Sequence, residues 1–446
     1  MRWRRVFLGV LSVGYSKIVV AFMQLAMVPV LATTWGLDTY GQWLMLTTVP
    51  IFLGASDFGF GTAAGNRLTA EVAKGELGEA LCTFQSALAV MLLCTFSIFA
   101  ICLTATVFLP DALLSASNGM DGAAARQVLA IMCLFGLVAL QSSLFMSVMR
   151  AEGLFAQTTS LYATMQLGEG IAVMAVALAG GGPVAAAIAY CAIRTIGVSA
   201  QAVLALRRAK WLQLGLRQGS RSRVKELLRP ALAAMMLPLS QALHLQGTAL
   251  AVGAAAGAAA VPIYTSLRTL SRTGLQLLMT LTLPILPEFT AEHARENSEW
   301  VKRITGGIAT FNSLAGIVAA IGMLLLGEWF LDLWTNGSIQ PPYAMLALTA
   351  VAMAASMVWN PLSNLLVAVN RHETFTYSFL LIATMATGLT YIFVEQWGIV
   401  GSAAVSLLLD VVMLAITWLL VRRMTGPFPM GRDAVRILLP SRFKRR

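Results

Sequence analysis

Four cations and three acids of this 446-residue chain stand within long apolar runs, and they are the residues with the chemistry to bind or carry charge. The cations are Lys17, Arg194, Arg268 and Arg272. Each costs ~2.5–3.5 kcal/mol if left at the centre of a hydrocarbon layer, so structure or function must retain it. Arg268 and Arg272 are four residues apart and share one face of a helix. An arginine offers a fork of donors that fits clustered anionic oxygens, which makes these cations candidates for holding an anion. Two of the four have another use open to them. Lys17 lies within two or three turns of a span end and can snorkel there, and Arg194 can pair with Glu169.

The acids are Asp57, Glu169 and Asp410, with His244 as a further proton carrier. Glu169 and Asp410 lie near the middle of their runs, where a carboxylate either holds a proton or sodium ion or locks two helices in an ion pair. Asp57 stands near the end of its run and reads as a capping or gate residue. His244, between Gln241 and Gln246, can hydrogen-bond sugar hydroxyls or bridge helices. No metal motif is visible, since His244, His293 and His372 are far apart and the five cysteines form no CxxC pair. No GxxxxGK[ST] loop is present, and no cofactor is implied.

The elements that position these residues are set by composition. The chain is 58% apolar and 11% charged, with mean hydropathy +0.76. A soluble domain holds about 25% charged residues. These values exclude a soluble enzyme, a secreted disulfide scaffold and a disordered chain, and leave an all-α integral membrane protein. Twelve apolar segments are predicted, at 8–33, 41–64, 82–109, 125–149, 156–179, 183–206, 229–253, 260–286, 304–327, 342–368, 374–395 and 398–421. With the N-terminus in the cytoplasm, 26 of the 31 cations fall on the cytoplasmic side and only Arg126 falls outside. That asymmetry places both termini in the cytoplasm. The external connections are short, at 35–40, 110–124, 180–182, 253–259, 327–341 and 395–398, and none could hold a catalytic domain.

The longest basic connection divides six segments from six. The expected organisation is an N-terminal six-helix lobe at 1–206, a basic cytoplasmic linker at 207–228, a C-terminal six-helix lobe at 229–422 and a basic tail at 423–446. The halves rhyme: Leu68-Thr-Ala-Glu71 follows the second segment and Phe289-Thr-Ala-Glu292 the eighth. Six segments per half would make them parallel pseudo-repeats. Pro29 and Pro238 fall in the first segment of each half, where a kink would let a transporter bend.

Residues Pro29 to Gly41, with Gly36-Leu-Asp-Thr-Tyr-Gly41, resemble the first external turn of polysaccharide flippases. Asp57-Phe-Gly-Phe-Gly61 and Asn66-Arg-Leu-Thr-Ala-Glu71 resemble the end of their second span, and Tyr264 to Glu288 resembles their eighth. The likeness is to the O-antigen and exopolysaccharide (Wzx-type) branch of the MOP superfamily. It implies a MATE-like fold of two six-helix lobes working by alternating access, with cations of the first and eighth spans lining the path. The lipid II flippase branch usually adds two C-terminal spans, which sets an expectation against that branch.

The resemblance implies a flippase that moves an undecaprenyl-diphosphate-linked oligosaccharide from the cytoplasmic to the periplasmic leaflet of the bacterial inner membrane. It makes no bond and is not an enzyme. Two rivals stand beside it: a cation-coupled MATE-type exporter of small amphiphiles, and a membrane-embedded glycosyltransferase or polymerase. The expected partners are the lipid-linked glycan, anionic lipids at the cytoplasmic face, and a polymerase or glycosyltransferase docked on the basic segments. Nucleic acid is not expected.

Overall fold

The computed structural model describes residues 2–54, 59–108, 119–282, 285–369 and 371–431. The chain is helical throughout these residues, with no strand among them. Nine helices among the described residues are long and apolar enough to cross a membrane. Large side chains such as Leu93, Phe96, Ile101 and Leu325 are exposed on the outside of these helices, as they would be against lipid.

The first helix, α1 (Arg2–Gly54), carries the first predicted segment and the start of the second as two helical stretches that meet at a kink at Gly36. Together the two stretches hold Leu11–Leu53, 43 residues and roughly 65 Å of helix, about twice a hydrocarbon core. Gly36 has φ +76°, a left-handed conformation that favours glycine. The expected connection at 35–40 is therefore reduced to a single non-helical residue. Trp35 beside it donates to the carbonyl of Gly181 at 3.0 Å and meets Trp43 edge-on at 5.5 Å.

The contacts divide the chain into two compact units. The first comprises Met1–Ala242 and Gly257–Pro262, the second Leu243–Ala256 and Ile263–Arg446. After α1, unit 1 continues with α2 (Phe60–Lys74), α3 (Leu77–Phe108), α4 (Gly122–Ala151), α5 (Phe155–Leu178), α6 (Pro183–Arg208) and α7 (Arg221–Ala242). Helix α1 packs on α4 and α5, α4 on α6, and α2 and α3 on α4 and α7. Residues 229–242, which sequence patterning joins to the second lobe, pack within unit 1.

Unit 2 contains a π turn at Leu243–Gly247, α8 (Thr248–Ala256), α9 (Ala260–Thr282), α10 (Leu286–Ala294), α11 (Ser298–Thr335), α12 (Tyr343–Ala368), α13 (Glu373–Trp397) and α14 (Val400–Thr425). The first residues of α9 belong to unit 1. Helix α12 packs against α11 and α14, and α13 against α8 and α14. The seventh and eighth predicted segments are not among the nine long apolar helices. The π turn interrupts the former, and Arg268 and Arg272 dilute the apolar character of the latter.

The two Thr-Ala-Glu motifs meet different surroundings. Glu71 is buried and accepts from Arg67 at 2.9 Å, Thr83 at 3.1 Å and Arg223 of α7 at 3.2 Å. Arg223 also binds Glu79 of α3, so one buried arginine ties α7 to α2 and α3. Glu292 is bound only by its own neighbours, Arg295 and Asn297, each at 2.6 Å.

Candidate functional site

In unit 1, the turn at Gly180–Gly182 folds α5 and α6 into a hairpin, and this brings Glu169 and Arg194 together. One guanidinium hydrogen bond to the carboxylate measures 2.8 Å, and a second contact measures 2.7 Å. The pair is 2% and 5% exposed. The Arg194 guanidinium lies 4.6 Å from the ring centre of Phe135 and 5.4 Å from that of Tyr162. Phe135 in turn stacks on Tyr190 at 4.4 Å. Two fork contacts and two aromatic faces occupy this cation's recognition surface. Gly170 leaves room for Met23 of α1 beside the pair; a Cβ there would lie 2.0 Å from the Met23 sulfur.

Lys17, on α1, is exposed and makes no hydrogen bond or ion pair among the described residues. Asp57 lies outside the described residues.

In unit 2, Arg268 and Arg272 have no acidic partner among the described residues. Arg268 donates to the carbonyl of Leu245 in the π turn, and its guanidinium lies 5.3 Å from the ring centre of Tyr264. Tyr264 donates to Thr248 at 2.9 Å. A π turn shifts the backbone ladder by one residue and releases a carbonyl from its usual partner. Arg268 and Tyr264 hold the two sides of that irregularity. Arg272, one turn along the same face and half-buried, makes no hydrogen bond or ion pair among the described residues. A half-buried guanidinium with unused donors is suited to receive an anion.

The acid of unit 2 is housed apart from these arginines. Asp410 is buried in α14 and accepts from the indole of Trp359 on α12 at 2.8 Å. Trp359 lies 5.6 Å from Phe379, and Phe379 meets the His244 ring edge-on at 6.0 Å. His244 Nδ1 is buried with no hydrogen-bond partner. No group of three metal-ligating side chains occurs among the described residues.

The structure therefore joins Glu169 with Arg194 and sets Arg268 and Arg272 on one face. It gives Asp410 a tryptophan in place of a cation. Sequence reasoning missed Trp359, Tyr264 and the π turn. Tyr264 could have been found from its position four residues before Arg268, which stacks the two on one helix face. No sequence signal marks the π turn.

No family model matches the chain, and neither does any curated protein. Solved structures do match its fold. An inward-facing multidrug-resistance MATE family transporter of the MOP superfamily superposes with TM-score 0.68 at 16% identity, covering 91% of this chain and 98% of that one. The lipid II flippase MurJ, in an inward closed conformation, gives TM-score 0.73 at 13% identity over 97% of this chain and 90% of its own. A MOP superfamily transporter from Pyrococcus furiosus gives 0.54 at 15% identity, covering 95% and 94%. The fold is that of MOP superfamily transporters.

Proposed function

We propose that this chain is a flippase for a diphosphate-linked, lipid-borne oligosaccharide, carrying it from the cytoplasmic to the periplasmic leaflet of a bacterial inner membrane. The observation that carries the reading is Arg272: a half-buried arginine beside Arg268, with no carboxylate to neutralise either among the described residues. A diphosphate supplies two negative charges and several acceptor oxygens, and arginine forks match both. Arg268 is partly committed to the π turn, so Arg272 is the freer hand. Lys17, a separate candidate in unit 1, would contribute charge without a fork. Arg194 is the weakest of the four, because Glu169 already neutralises it.

No bond is made or broken in this reading. Moving two negative charges outward across 100 mV releases roughly 4–5 kcal/mol, at ~2.3 kcal/mol per charge. Asp410, His244 and Glu169 are the groups that would couple transport to a proton or sodium ion. The outward gain in energy makes such coupling an addition to the drive, not a necessity. The fold shared with a lipid II flippase supports a lipid-linked cargo.

A second reading is cation-coupled export of small amphiphiles. Asp410 favours it, since a buried carboxylate with only a neutral donor can take up a cation, and MATE transporters share the fold. The test is a strain lacking the chain, complemented with wild type, Arg272→Ala or Asp410→Asn. The flippase reading expects a prenyl-diphosphate oligosaccharide to accumulate in lipid extracts of the null strain and with Arg272→Ala, at wild-type protein levels. Unchanged lipids together with heightened sensitivity to amphiphilic drugs, worsened by Asp410→Asn, would establish the exporter instead.

A further inference from the structure

The basic connection after α6 is a built surface. Two polar side chains buried on α3 hold its backbone. Gln85 donates to the carbonyl of Gln213 at 3.2 Å and accepts from the backbone N–H of Gln218 at 2.6 Å. Ser86 accepts from the N–H of Ser220 at 3.0 Å. Trp211 donates to Glu152 at 2.7 Å, and Ala209 and Leu212 enter a core with Phe84, Leu144 and Val148. Gln85 and Ser86 are themselves 3% and 0% exposed, so the loop covers groups that would otherwise be buried unsatisfied.

That clamp fixes what the loop presents. Of the eight cations between Arg207 and Arg229, only Arg223 is buried. Arg207, Arg208, Lys210, Arg217, Arg221, Lys225 and Arg229 are exposed. The single acid in the stretch, Glu226, is bound to Arg67 at 2.7 Å. Between the cations, Leu214 and Leu216 are 55% and 52% exposed. The level of the loop is fixed too. Gln85 lies eight residues into α3, about 12 Å along a helix that opens at Leu77. Leu214 and Leu216, between the two residues that Gln85 binds, are therefore held alongside α3 beyond its first two turns.

We propose that residues 206–229 form a docking platform for the anionic lipid leaflet, with Leu214 and Leu216 entering the headgroup boundary and the exposed cations binding lipid phosphates. A lipid surface fits better than a protein partner. The platform has no exposed aromatic anchor, since Trp211 is used internally, and protein interfaces centre on such anchors. Cations that reach outward around short aliphatic side chains match the layering of headgroup and acyl chain. The proposal is independent of the cargo. Lipid binding here holds α7 at its N-terminal end, where Arg223 already ties it to α2 and α3.

The test uses full-length protein with its five cysteines replaced, a single Leu216→Cys carrying an environment-sensitive fluorophore, and reconstitution without cargo into nanodiscs. In discs with phosphatidylglycerol, the probe should shift to the blue and be quenched by spin-labelled lipid. In pure phosphatidylcholine it should not, and salt should reverse the effect. Arg217→Gln, at an exposed residue, should raise the anionic-lipid fraction needed for half-maximal shift about fivefold, the equivalent of one surface cation. A probe that stays in water in both discs overturns the proposal. So does a probe shielded only after cytoplasmic proteins are added, which would make the surface a protein-docking site.

Discussion

Arg194 and Arg272 are the same residue type set in apolar helices, yet unit 1 supplies a carboxylate to one and unit 2 supplies none to the other. Unit 1 also wraps its arginine in aromatic rings, while unit 2 leaves Arg272 half-buried with its donors unused among the described residues. Unit 2 has a buried acid, but gives it an indole in place of a guanidinium. The difference separates two uses of a charge in an apolar setting. A neutralised pair fixes two helices and presents almost nothing to a ligand. Charges kept apart from their opposites remain open to one.

The comparison breaks most sharply at Arg194. Arg194→Ala strands Glu169 without its cation, which should destabilise the protein by about 3–5 kcal/mol. Detergent-solubilised protein should then unfold at a markedly lower temperature, with reduced yield. Arg194→Ala combined with Glu169→Gln should recover much of that loss. A double mutant as unstable as the single would show that the aromatic contacts, not charge balance, hold the hairpin.

Arg272→Ala should show the opposite pattern: normal yield and thermal stability, with loss of function. If it binds a diphosphate through one or two charge-assisted hydrogen bonds, affinity should fall by about 1.5–3 kcal/mol, read as the concentration of prenyl diphosphate needed to stabilise the purified protein. Arg272→Lys should restore part of it. Arg268→Ala is less clean, because it also uncovers the Leu245 carbonyl, so a modest fall in stability should accompany its functional loss. Lys17→Ala should act only on function, and Lys17→Arg should be tolerated.

A smaller effect is expected from Trp359→Phe, which leaves Asp410 buried without its donor and should cost about 1–3 kcal/mol in thermal unfolding. Asp410→Asn in the same background should lessen the loss. The smallest effect belongs to Glu292. Hydrogen bonds from Asn297 and Arg295 hold its carboxyl below the usual carboxylate range. Its contribution is present at neutral pH and is lost as the pH falls through that lowered value. Glu292→Gln should therefore change stability slightly at pH 7 and not at all in strong acid, whereas Glu71→Gln, which disturbs the buried Arg223 cluster, should be clearly destabilising at pH 7.

How much of this was legible depends on how far apart the partners lie. Glu169 and Arg194 were readable as a pair, since they stand about equally far on either side of the glycine turn at 180–182, and a helix hairpin puts such residues at one height. Asp410 and Trp359 are 51 residues apart on helices that are not chain neighbours, and no periodicity joins them. The shared face of Arg268 and Arg272 followed from spacing alone. That Arg268 also serves the Leu245 carbonyl did not, because it depends on a backbone irregularity without a compositional mark. The helical membrane architecture was plain from hydropathy. The single-glycine break in α1 was not, because a turn-like sequence at 35–40 reads the same whether one residue leaves the helix or six do.

The π turn at Leu243–Gly247 is, in genetic terms, an accommodated insertion. It holds one residue more than the surrounding helix needs, and Arg268, Tyr264 and Thr387 keep it from annealing. Deleting one residue there would let α-helical pairing run straight through and leave Thr248 to Ala256 in register with the helix before it. The carbonyl that the π turn leaves open would return to the backbone ladder, and Arg268 would lose its acceptor. Shortening 243–247 by one residue should therefore leave the helix intact and free the Arg268 guanidinium, whereas a side chain at Gly247 would press on Thr387.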